Sequence, residues 1–192
     1  GKHKVLFSSL MLPEAKKSFF QKLMSQKSIA LAYEYIQDKS GALPVMKSMS
    51  EIIGNTSILI ASKYLMSTEF GKGKLLGGFP GIIPSEVVII GSGTVAEFAA
   101  RTALGMGASV KIFDPYFINE HIFDVKTESN LENALSKADV AIIITNHKEF
   151  YNIDPTLFSS KMKNSIIIDT RNVLDPKITS KYGITYRGIG HV

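Results

Sequence analysis

The sequence predicts an α/β protein: a doubly wound parallel sheet with a small α/β unit appended on its N-terminal side. Three observations predict this class. From residue 86 onward, short apolar segments alternate with longer segments of helical pattern. These apolar segments are continuous, as parallel strands buried on both faces require. Finally, the apolar segment at residues 87–90 runs directly into a glycine-rich segment that opens a helix.

The appended unit is predicted to cover residues 1–70 and to hold two strands and two helices. Pro13 suits the first position of a helix because that position needs no N–H donor. Ser48 and Glu51 have the spacing of a capping box before a long helix. That helix is apolar nearly all round, so we expect it to be buried on several sides. A glycine-rich linker follows at residues 71–85. The predicted elements are strands at 5–10 and 29–36, a first helix that begins at residue 13, and a long helix at 50–66.

The sheet domain is predicted to cover residues 86–192. Ser129 and Glu132 form a second capping box. Asp154 and Asp175 each precede a proline, which is the pairing of an N-cap with a first-turn residue. We expect six parallel strands in the order 3-2-1-4-5-6. The predicted strands are 87–90, 110–113, a short one near 123–125, 140–144, 165–168 and 184–186. The predicted helices are 94–104, 129–137 and two that open at 155 and 176.

Composition excludes several classes of function. Of 192 residues, 45% are apolar and 20% are charged, which is typical of a globular protein. The net charge of +5 is spread along the chain without a run of five like charges, so we expect no nucleic-acid partner. The longest apolar runs are too short to span a membrane. The chain has no cysteine, which excludes thiolate chemistry and favours a reducing compartment, the cytoplasm. The four histidines lack metal-ligand spacing, so no metal site is predicted.

The candidate ligand-binding motif lies at residues 91–96, which read G-x-G-x-x-A between a predicted strand and a predicted helix. Gly91 allows a tight turn, Gly93 lets the backbone approach a pyrophosphate, and Ala96 permits close packing of helix and strand. Asp114 ends the second strand, where a carboxylate binds the ribose of NAD. The pattern therefore predicts a Rossmann-type NAD site; the alternative is that the glycines serve only the turn. The predicted cofactor-binding residues are Gly91, Ser92, Gly93, Thr94, Val95, Ala96, Asp114, Thr145 and Asn146.

Thr145, Asn146 and His147 follow a predicted strand at the sheet edge where ligands bind in such folds. His147 is a candidate proton carrier, although Glu149 is the one evident carboxylate near it in the sequence. The alternative role of His147 is to cap the loop.

Arg171 follows the next strand and is a possible anion contact, since its guanidinium can clamp a phosphate or a carboxylate. Alternatively, it pairs with Asp169 or Asp175 and fixes the loop. On the second strand of the N-terminal unit, Glu34 either faces a cleft or is solvated. Lys74, beside the linker glycines, is expected to be solvated.

Residues 5–114 resemble the alanine dehydrogenase and nicotinamide nucleotide transhydrogenase family. The similar segments are LFSSLMLP at 6–13, AYEYIQD at 32–38, PVMKSMSEIIGN at 44–55 and GKGKLLGGFPGIIPSEVVIIGSGTVAEFAARTALGMGASVKIFD at 71–114. The resemblance implies NAD(H) binding, oxidative deamination of a small L-amino acid, and an oligomer. Met11 stands where this family has its catalytic histidine, and a methionine cannot act as an acid or a base. The part of the substrate domain that supplies a lysine and an arginine would precede Gly1, so we expect the catalytic half to be missing.

Residues 114–191 resemble a second family, the C-terminal nucleotide-sugar-binding domain of UDP-glucose and UDP-N-acetylmannosamine dehydrogenases. The similar segments are DPYF at 114–117, LENALSKADVAIIITNHKEF at 131–150, IIIDTRNVLDP at 167–176 and YGITYRGIGH at 182–191. That family uses a catalytic cysteine in another domain, and its phosphate-contacting lysine and arginine segment is replaced here by GSGTVAEFAAR. The two resemblances predict a join at Phe113-Asp114-Pro115. A natural fusion, a divergent protein and a deliberately made chimera would all produce it.

The function that follows is the NAD(H)-binding module of an amino-acid-dehydrogenase-like oxidoreductase without a complete catalytic site. Whether the chain is itself an enzyme stays open. The alternatives are a non-catalytic structural or chimeric Rossmann domain, and a UDP-sugar-binding domain. We expect a small-molecule nucleotide as ligand, no membrane contact, and a homodimer or higher oligomer, since the chain is too short to cover its apolar helix. Its start at Gly1 rather than Met favours a tag remnant or a piece of a longer protein.

Overall fold

A computed structural model describes residues 3–12 and 15–190 of the chain. These residues divide into two compact units, Gly1–Met49 and Ser50–Val192. The division falls inside the long helix that begins at Pro44, whereas the sequence places a linker at residues 71–85. The domain boundaries drawn from the sequence stay predictions. Within the described residues, no helix is both long enough and apolar enough to cross a membrane.

The described residues of the N-terminal unit include a parallel strand pair and a short helix, and the predicted helix start at Pro13 lies outside the described residues. The elements are β1 (Val5–Ser8), α1 (Lys17–Ser25) and β2 (Ile29–Ala32). The predicted second strand is too long, because Tyr33–Tyr35 form a 3-10 turn. Its Glu34 carboxylate accepts the backbone N–H groups of Leu10 and Met11, each at 2.8 Å, which folds this turn back onto the end of β1. The prediction that Glu34 lies on a strand is therefore wrong.

The long helix α2 (Pro44–Met66) begins earlier than predicted. Ser48 is not its cap but lies inside its first turns, where the hydroxyl donates to the Pro44 carbonyl at 3.0 Å. Further along, Gly54 makes close packing possible, since an added Cβ would lie 2.7 Å from the Val95 carbonyl oxygen. Ile58, Ala61 and Leu65 are fully buried from the same helix. The expected burial of α2 is thus confirmed for one side of its second half, whereas Leu59 and Met66 in that half are 56% and 46% exposed.

The central sheet of the described residues has five parallel strands in the order β4-β3-β7-β8-β9. Its strands are β3 (Glu86–Ile90), β4 (Ser109–Phe113), β7 (Val140–Ile143), β8 (Ile166–Asp169) and β9 (Thr185–Gly188). The register pairs Val87 with Val110 on one side and with Val140 on the other. A parallel, doubly wound sheet is confirmed. The chain crosses from β4 over β3 to β7, and this crossover creates the point where the strand order reverses.

The third predicted strand, near residues 123–125, is not part of the central sheet. The segment near 123–125 forms a small antiparallel hairpin instead, β5 (His121–Ile122) with β6 (Val125–Lys126). Phe123 has φ 54 in the turn of this hairpin, and the chain after β6 meets β4 at an isolated parallel bridge between Thr127 and Ile112. In the numbering of the predicted strands, the observed order is therefore 2-1-4-5-6, without strand 3.

The helices that connect the strands are short except for the first. They are α3 (Thr94–Gly105), α4 (Leu131–Leu135), α5 (Pro155–Lys161) and α6 (Pro176–Lys181). Asp154 and Asp175 cap α5 and α6 as predicted, each accepting a backbone N–H two residues on. The predicted cap of α4 is wrong, because Asn130 rather than Ser129 accepts the Asn133 N–H, at 2.8 Å.

Two apolar layers cover the two faces of the sheet. One joins α2 and α3 to alternate strand residues such as Ile89 and Ile142, and the other joins α4 and α5 to residues such as Ile90 and Ile143. At the amino edge, Lys74 forms an ion pair with the buried Asp139, at 2.8 Å. The expectation that Lys74 is solvated is therefore wrong. This ion pair ties the glycine-rich stretch to the sheet.

Candidate functional site

The candidate site lies at the carboxyl edge of the central sheet. Four loops meet there, following β3, β4, β7 and β8. In parallel sheets with helices on both faces, ligands bind at this edge, where the strand order reverses. Here the reversal falls between β3 and β7, because the chain leaves β3 toward β4 on one side and returns to β7 on the other.

Gly91 and Gly93 in the first loop are required for different reasons. Gly91 has φ 125, and an added Cβ would lie 2.9 Å from Cβ of Thr145, so the fold itself demands glycine there. Gly93 has φ −76, which any residue adopts, and an added Cβ would meet nothing within 4 Å. The protein therefore leaves open space beside the Gly93 backbone.

That open space lies at the N-terminus of α3, where Gly93 is the N-cap and no side chain caps the helix. The first N–H groups of a helix have no acceptor within it and carry a positive partial charge. Thr94 is exposed, while Ala96 is fully buried beneath the turn. The loop thus offers an anion both backbone donors and room to approach.

Asp114, at the end of β4, is 1% exposed and accepts three hydrogen bonds. Its Oδ1 accepts the N–H of Tyr116 at 3.0 Å. Its Oδ2 accepts the hydroxyl of Ser92 at 2.8 Å, and the Nε2 atom of His147 lies 3.2 Å from the same oxygen. Three loops of the site therefore converge on a single carboxylate.

His147 contacts two aromatic rings as well as Asp114. Its ring centroid lies 4.8 Å from that of Tyr116 and 5.2 Å from that of Phe150. The sequence suggested Glu149 as the carboxylate near His147, and the structure corrects this. Glu149 instead accepts the hydroxyl of Tyr116, at 2.6 Å. The signal for the Asp114 contact was that both residues follow parallel strands, which flank β3 at one edge.

The Tyr116–Glu149 hydrogen bond shifts both ionisations. It raises the pKa of the Tyr116 hydroxyl above its ordinary value. It also lowers the pKa of the Glu149 carboxyl below its ordinary value. Both shifts favour a neutral tyrosine bonded to a charged carboxylate, which holds the Tyr116 ring against His147.

Arg171 and Asn146 lie on neighbouring loops after β8 and β7. The guanidinium of Arg171 donates to the Asn146 side chain at 3.5 Å, and both residues are exposed. Within the described residues no carboxylate forms an ion pair with Arg171; Asp169 accepts its backbone N–H instead. Of the two alternatives for Arg171, the geometry favours the anion contact, because the described residues show no ion pair with Asp169 or Asp175.

Two residues singled out in the sequence, Met11 and Glu34, belong to the N-terminal unit. Met11 has φ 44 and is exposed, beside an open groove of about 610 Å³ that includes Lys16 and Phe19. The described lining of that groove carries lysines but no histidine or carboxylate. It therefore offers no evident acid–base pair.

The arrangement at the carboxyl edge suits binding more than group transfer. Backbone N–H groups, the exposed Arg171 guanidinium and the exposed Thr94 and Asn146 side chains can hold an anionic nucleotide. Ser92 donates to a carboxylate rather than to a histidine, so it is not activated as a nucleophile. Among the described residues, no cluster of three or more His, Asp or Glu side chains could hold a metal ion.

Comparison with known proteins places the chain near two groups of dehydrogenases. The alanine dehydrogenase of Methanococcus maripaludis is 36% identical over 179 residues, which cover 86% of this chain and 48% of that protein. A solved L-alanine dehydrogenase structure is similar at a TM-score of 0.68 and 32% identity, over 88% of this chain and 50% of that one. This chain thus spans about half the length of the relatives it matches.

The second group matches the sheet domain. Residues 96–176 match the UDP-glucose/GDP-mannose dehydrogenase family, UDP binding domain. A solved NDP-N-acetyl-D-galactosaminuronic acid dehydrogenase from Methanosarcina mazei Go1 has a TM-score of 0.63 at 22% identity, over 90% of this chain and 36% of that one, a likeness of fold alone.

Both predicted resemblances are confirmed, but they do not meet at Asp114. A match over 86% of this chain extends well beyond residue 114, and the UDP-binding-domain match begins before it, at residue 96. The two similarities therefore overlap on the sheet domain. Phe113-Asp114-Pro115 is not a boundary between them.

Proposed function

We propose that the carboxyl edge of the sheet binds NAD(H), and that the chain is the cofactor module of an amino-acid-dehydrogenase-like oxidoreductase. The observation that carries the proposal is the open space at Gly93. The fold has no steric need for glycine at that position, whereas a pyrophosphate approaching the α3 N-terminus does. The similarity to alanine dehydrogenases over most of the chain supports the same assignment.

The proposed roles follow the loops. The backbone from Ser92 to Val95 holds the pyrophosphate at the helix N-terminus. Asp114 is the acceptor for the adenosine ribose, and Thr145 and Asn146 lie under the nicotinamide half. Arg171 provides a further anion contact. When bound, the dinucleotide supplies the hydride chemistry, and these residues contribute position and electrostatics.

The substitution Gly93→Val tests this site. A branched side chain would fill the space for the pyrophosphate, so we expect the fluorescence enhancement of NADH on binding to be lost. Gly105→Val is the matched control, because Gly105 lies at the other end of α3 and an added Cβ there also meets nothing within 4 Å. Undiminished NADH binding by a folded Gly93→Val protein would refute the assignment.

The chain is proposed to bind the cofactor with little or no turnover. Met11 supplies no proton to a reacting amine or carbonyl, and the described lining of its groove contains no histidine in its place. We expect no NADH oxidation with pyruvate and ammonia. Clear turnover in that assay would show that a complete catalytic site is present.

A second candidate ligand is UDP, favoured by the match of residues 96–176 to a UDP binding domain. Calorimetry with NADH, NADPH and UDP in parallel separates the candidates. Binding of NADH without UDP supports the first proposal, and binding of UDP alone supports the second. Absence of heat with all three ligands favours a structural role for the Rossmann sheet.

A further inference from the structure

Asp114 is the carboxylate proposed to bind the ribose, yet the protein itself already occupies it. Three donors converge on its two oxygens, and 1% of the residue is exposed. Two of those donors, the Tyr116 N–H and the Ser92 hydroxyl, belong to the loops that follow β4 and β3 and so form part of the proposed nucleotide site. The third donor, His147, comes from the loop after β7 and is partly exposed to solvent.

The hold on His147 is of a kind that can be released. Its Nε2 atom lies 3.2 Å from Asp114 Oδ2, a distance at the long end for a hydrogen bond. The side chain keeps 27% of its surface exposed, so it borders solvent, whereas that of Asp114 keeps 2%. Its ring also contacts Tyr116, which is itself exposed, and Phe150, which is buried. Of the two side chains that donate to the carboxylate, His147 is the more exposed, since Ser92 is 9% exposed.

We propose that His147 determines the nucleotide affinity and selectivity of this site by occupying the place of a ribose hydroxyl on Asp114. This inference rests on the proposed function and deepens it. A dinucleotide ribose must displace His147 before its hydroxyls reach the carboxylate. Binding therefore exchanges one hydrogen bond to Asp114 for another, and NADH gains less from Asp114 than it would at an open carboxylate.

Several charged groups surround His147 and have to be held constant in the test. Asp114 faces Nε2 from β4, and Glu149 lies two residues along the same loop, bonded to Tyr116. Lys148 adjoins it in sequence. The experiment changes the imidazole alone and leaves these groups in place.

The substitution His147→Ala is the direct test, with NADH and NADPH titrated separately by fluorescence and calorimetry. Removing the competing donor is expected to raise NADH affinity about two- to tenfold, the effect of one hydrogen bond. NADPH should show no such gain, because the uncovered carboxylate repels its 2′-phosphate. His121→Ala is the control, an exposed histidine in β5 that makes none of these contacts.

A double-mutant cycle with Asp114→Asn separates this role from a general loosening of the loop. The gain from His147→Ala must vanish when the carboxylate is absent. A gain of equal size in the Asp114→Asn background would overturn the proposal, and so would unchanged or weaker NADH binding by folded His147→Ala protein. Should that variant not fold by circular dichroism, His147→Ser replaces it with the same expectations.

The two proposals fail in distinguishable ways. If wild type binds NADH and His147→Ala binds it no better, the role of His147 is wrong and the cofactor site stands. If neither protein binds NADH, both proposals are wrong. If His147→Ala binds NADH where wild type does not, His147 is the group that closes the site.

Discussion

Asp114 and Asp169 are two buried carboxylates at strand ends, and their partners decide what each one does. Asp169 accepts the backbone N–H groups of Arg171, Val173 and Leu174, together with the hydroxyl of Tyr186. Three of those four donors are main chain, so the carboxylate is built into its loop. Asp114 accepts one backbone N–H and two side-chain groups. Side chains can rotate away, so Asp114 is the carboxylate that a ligand can reach.

Tyr186 should make stability depend on pH on the alkaline side. Burial, and then the nearby Asp169 carboxylate, raise the pKa of the Tyr186 hydroxyl above its ordinary value of 10.0. The stability that this shift contributes is fully present below pH 10 and is lost as pH rises beyond it, because the unfolded chain ionises first. The loss is at most about 1.4 kcal/mol per pH unit.

Urea unfolding of wild type and Tyr186→Phe between pH 8 and pH 11.5 measures this effect. Wild type should be the more stable protein at pH 8, by about 1 kcal/mol for its hydrogen bond to Asp169. Its advantage should shrink above pH 10, since phenylalanine does not ionise. A constant difference across the range would contradict the assignment.

At the scale of elements, continuous apolar runs correctly predicted buried strands, and Asp-Pro pairs correctly predicted the starts of two helices. The strands β3, β7 and β8 were found because each is buried on both faces, which leaves a run without alternation. The 3-10 turn at Tyr33–Tyr35 was missed, since its β-rich composition suits a strand and the hydrogen bonds of Glu34 to β1 depend on tertiary contact. The β5–β6 hairpin was missed because its turn depends on a positive φ at Phe123, which the residues around Phe123 do not predict.

The cap of α4 gives a matched pair of substitutions. Asn130 accepts the Asn133 N–H at 2.8 Å, whereas the Ser129 hydroxyl is contacted only by two side-chain amides, at 3.4 and 3.5 Å. Asn130→Ala should lower the free energy of unfolding by about 1 kcal/mol. Ser129→Ala should change it by no more than about 0.5 kcal/mol. Thermal or urea unfolding of both variants decides between the two residues, and the reverse ranking would restore the capping box predicted from sequence.

Across the whole molecule, the candidate site was predictable as a set of loops but not as a set of contacts. The sequence identified the strand ends that supply Gly91, Asp114, His147 and Arg171, since parallel strands bring their carboxyl ends to one edge. It did not predict that Ser92 and His147 would share Asp114, or that Tyr116 would bond Glu149. Those contacts depend on the strand order and on rotamers, which sequence spacing does not encode.

An apolar stripe on α2 carries the prediction about assembly. Ile52, Leu59 and Met66 are 64%, 56% and 46% exposed and lie seven residues apart, and so on one face of the helix. Apolar side chains in such a row are typical of a surface that another chain covers. We propose that a second copy of this chain covers it, giving a homodimer, one of the assemblies expected from the sequence.

Light scattering after size exclusion should therefore give twice the 21.0 kDa mass of the chain. Leu59→Glu places a charge in the middle of the stripe, where pairing would bury it without a partner, so this variant should be monomeric. Glu51→Ala is the control, because Glu51 is exposed on α2 about a quarter turn away from the stripe. A monomeric wild type would disprove the dimer. A dimeric Leu59→Glu variant would show that the stripe on α2 is not the interface. NADH titration of the monomeric variant then shows whether the carboxyl edge binds the cofactor without the second copy.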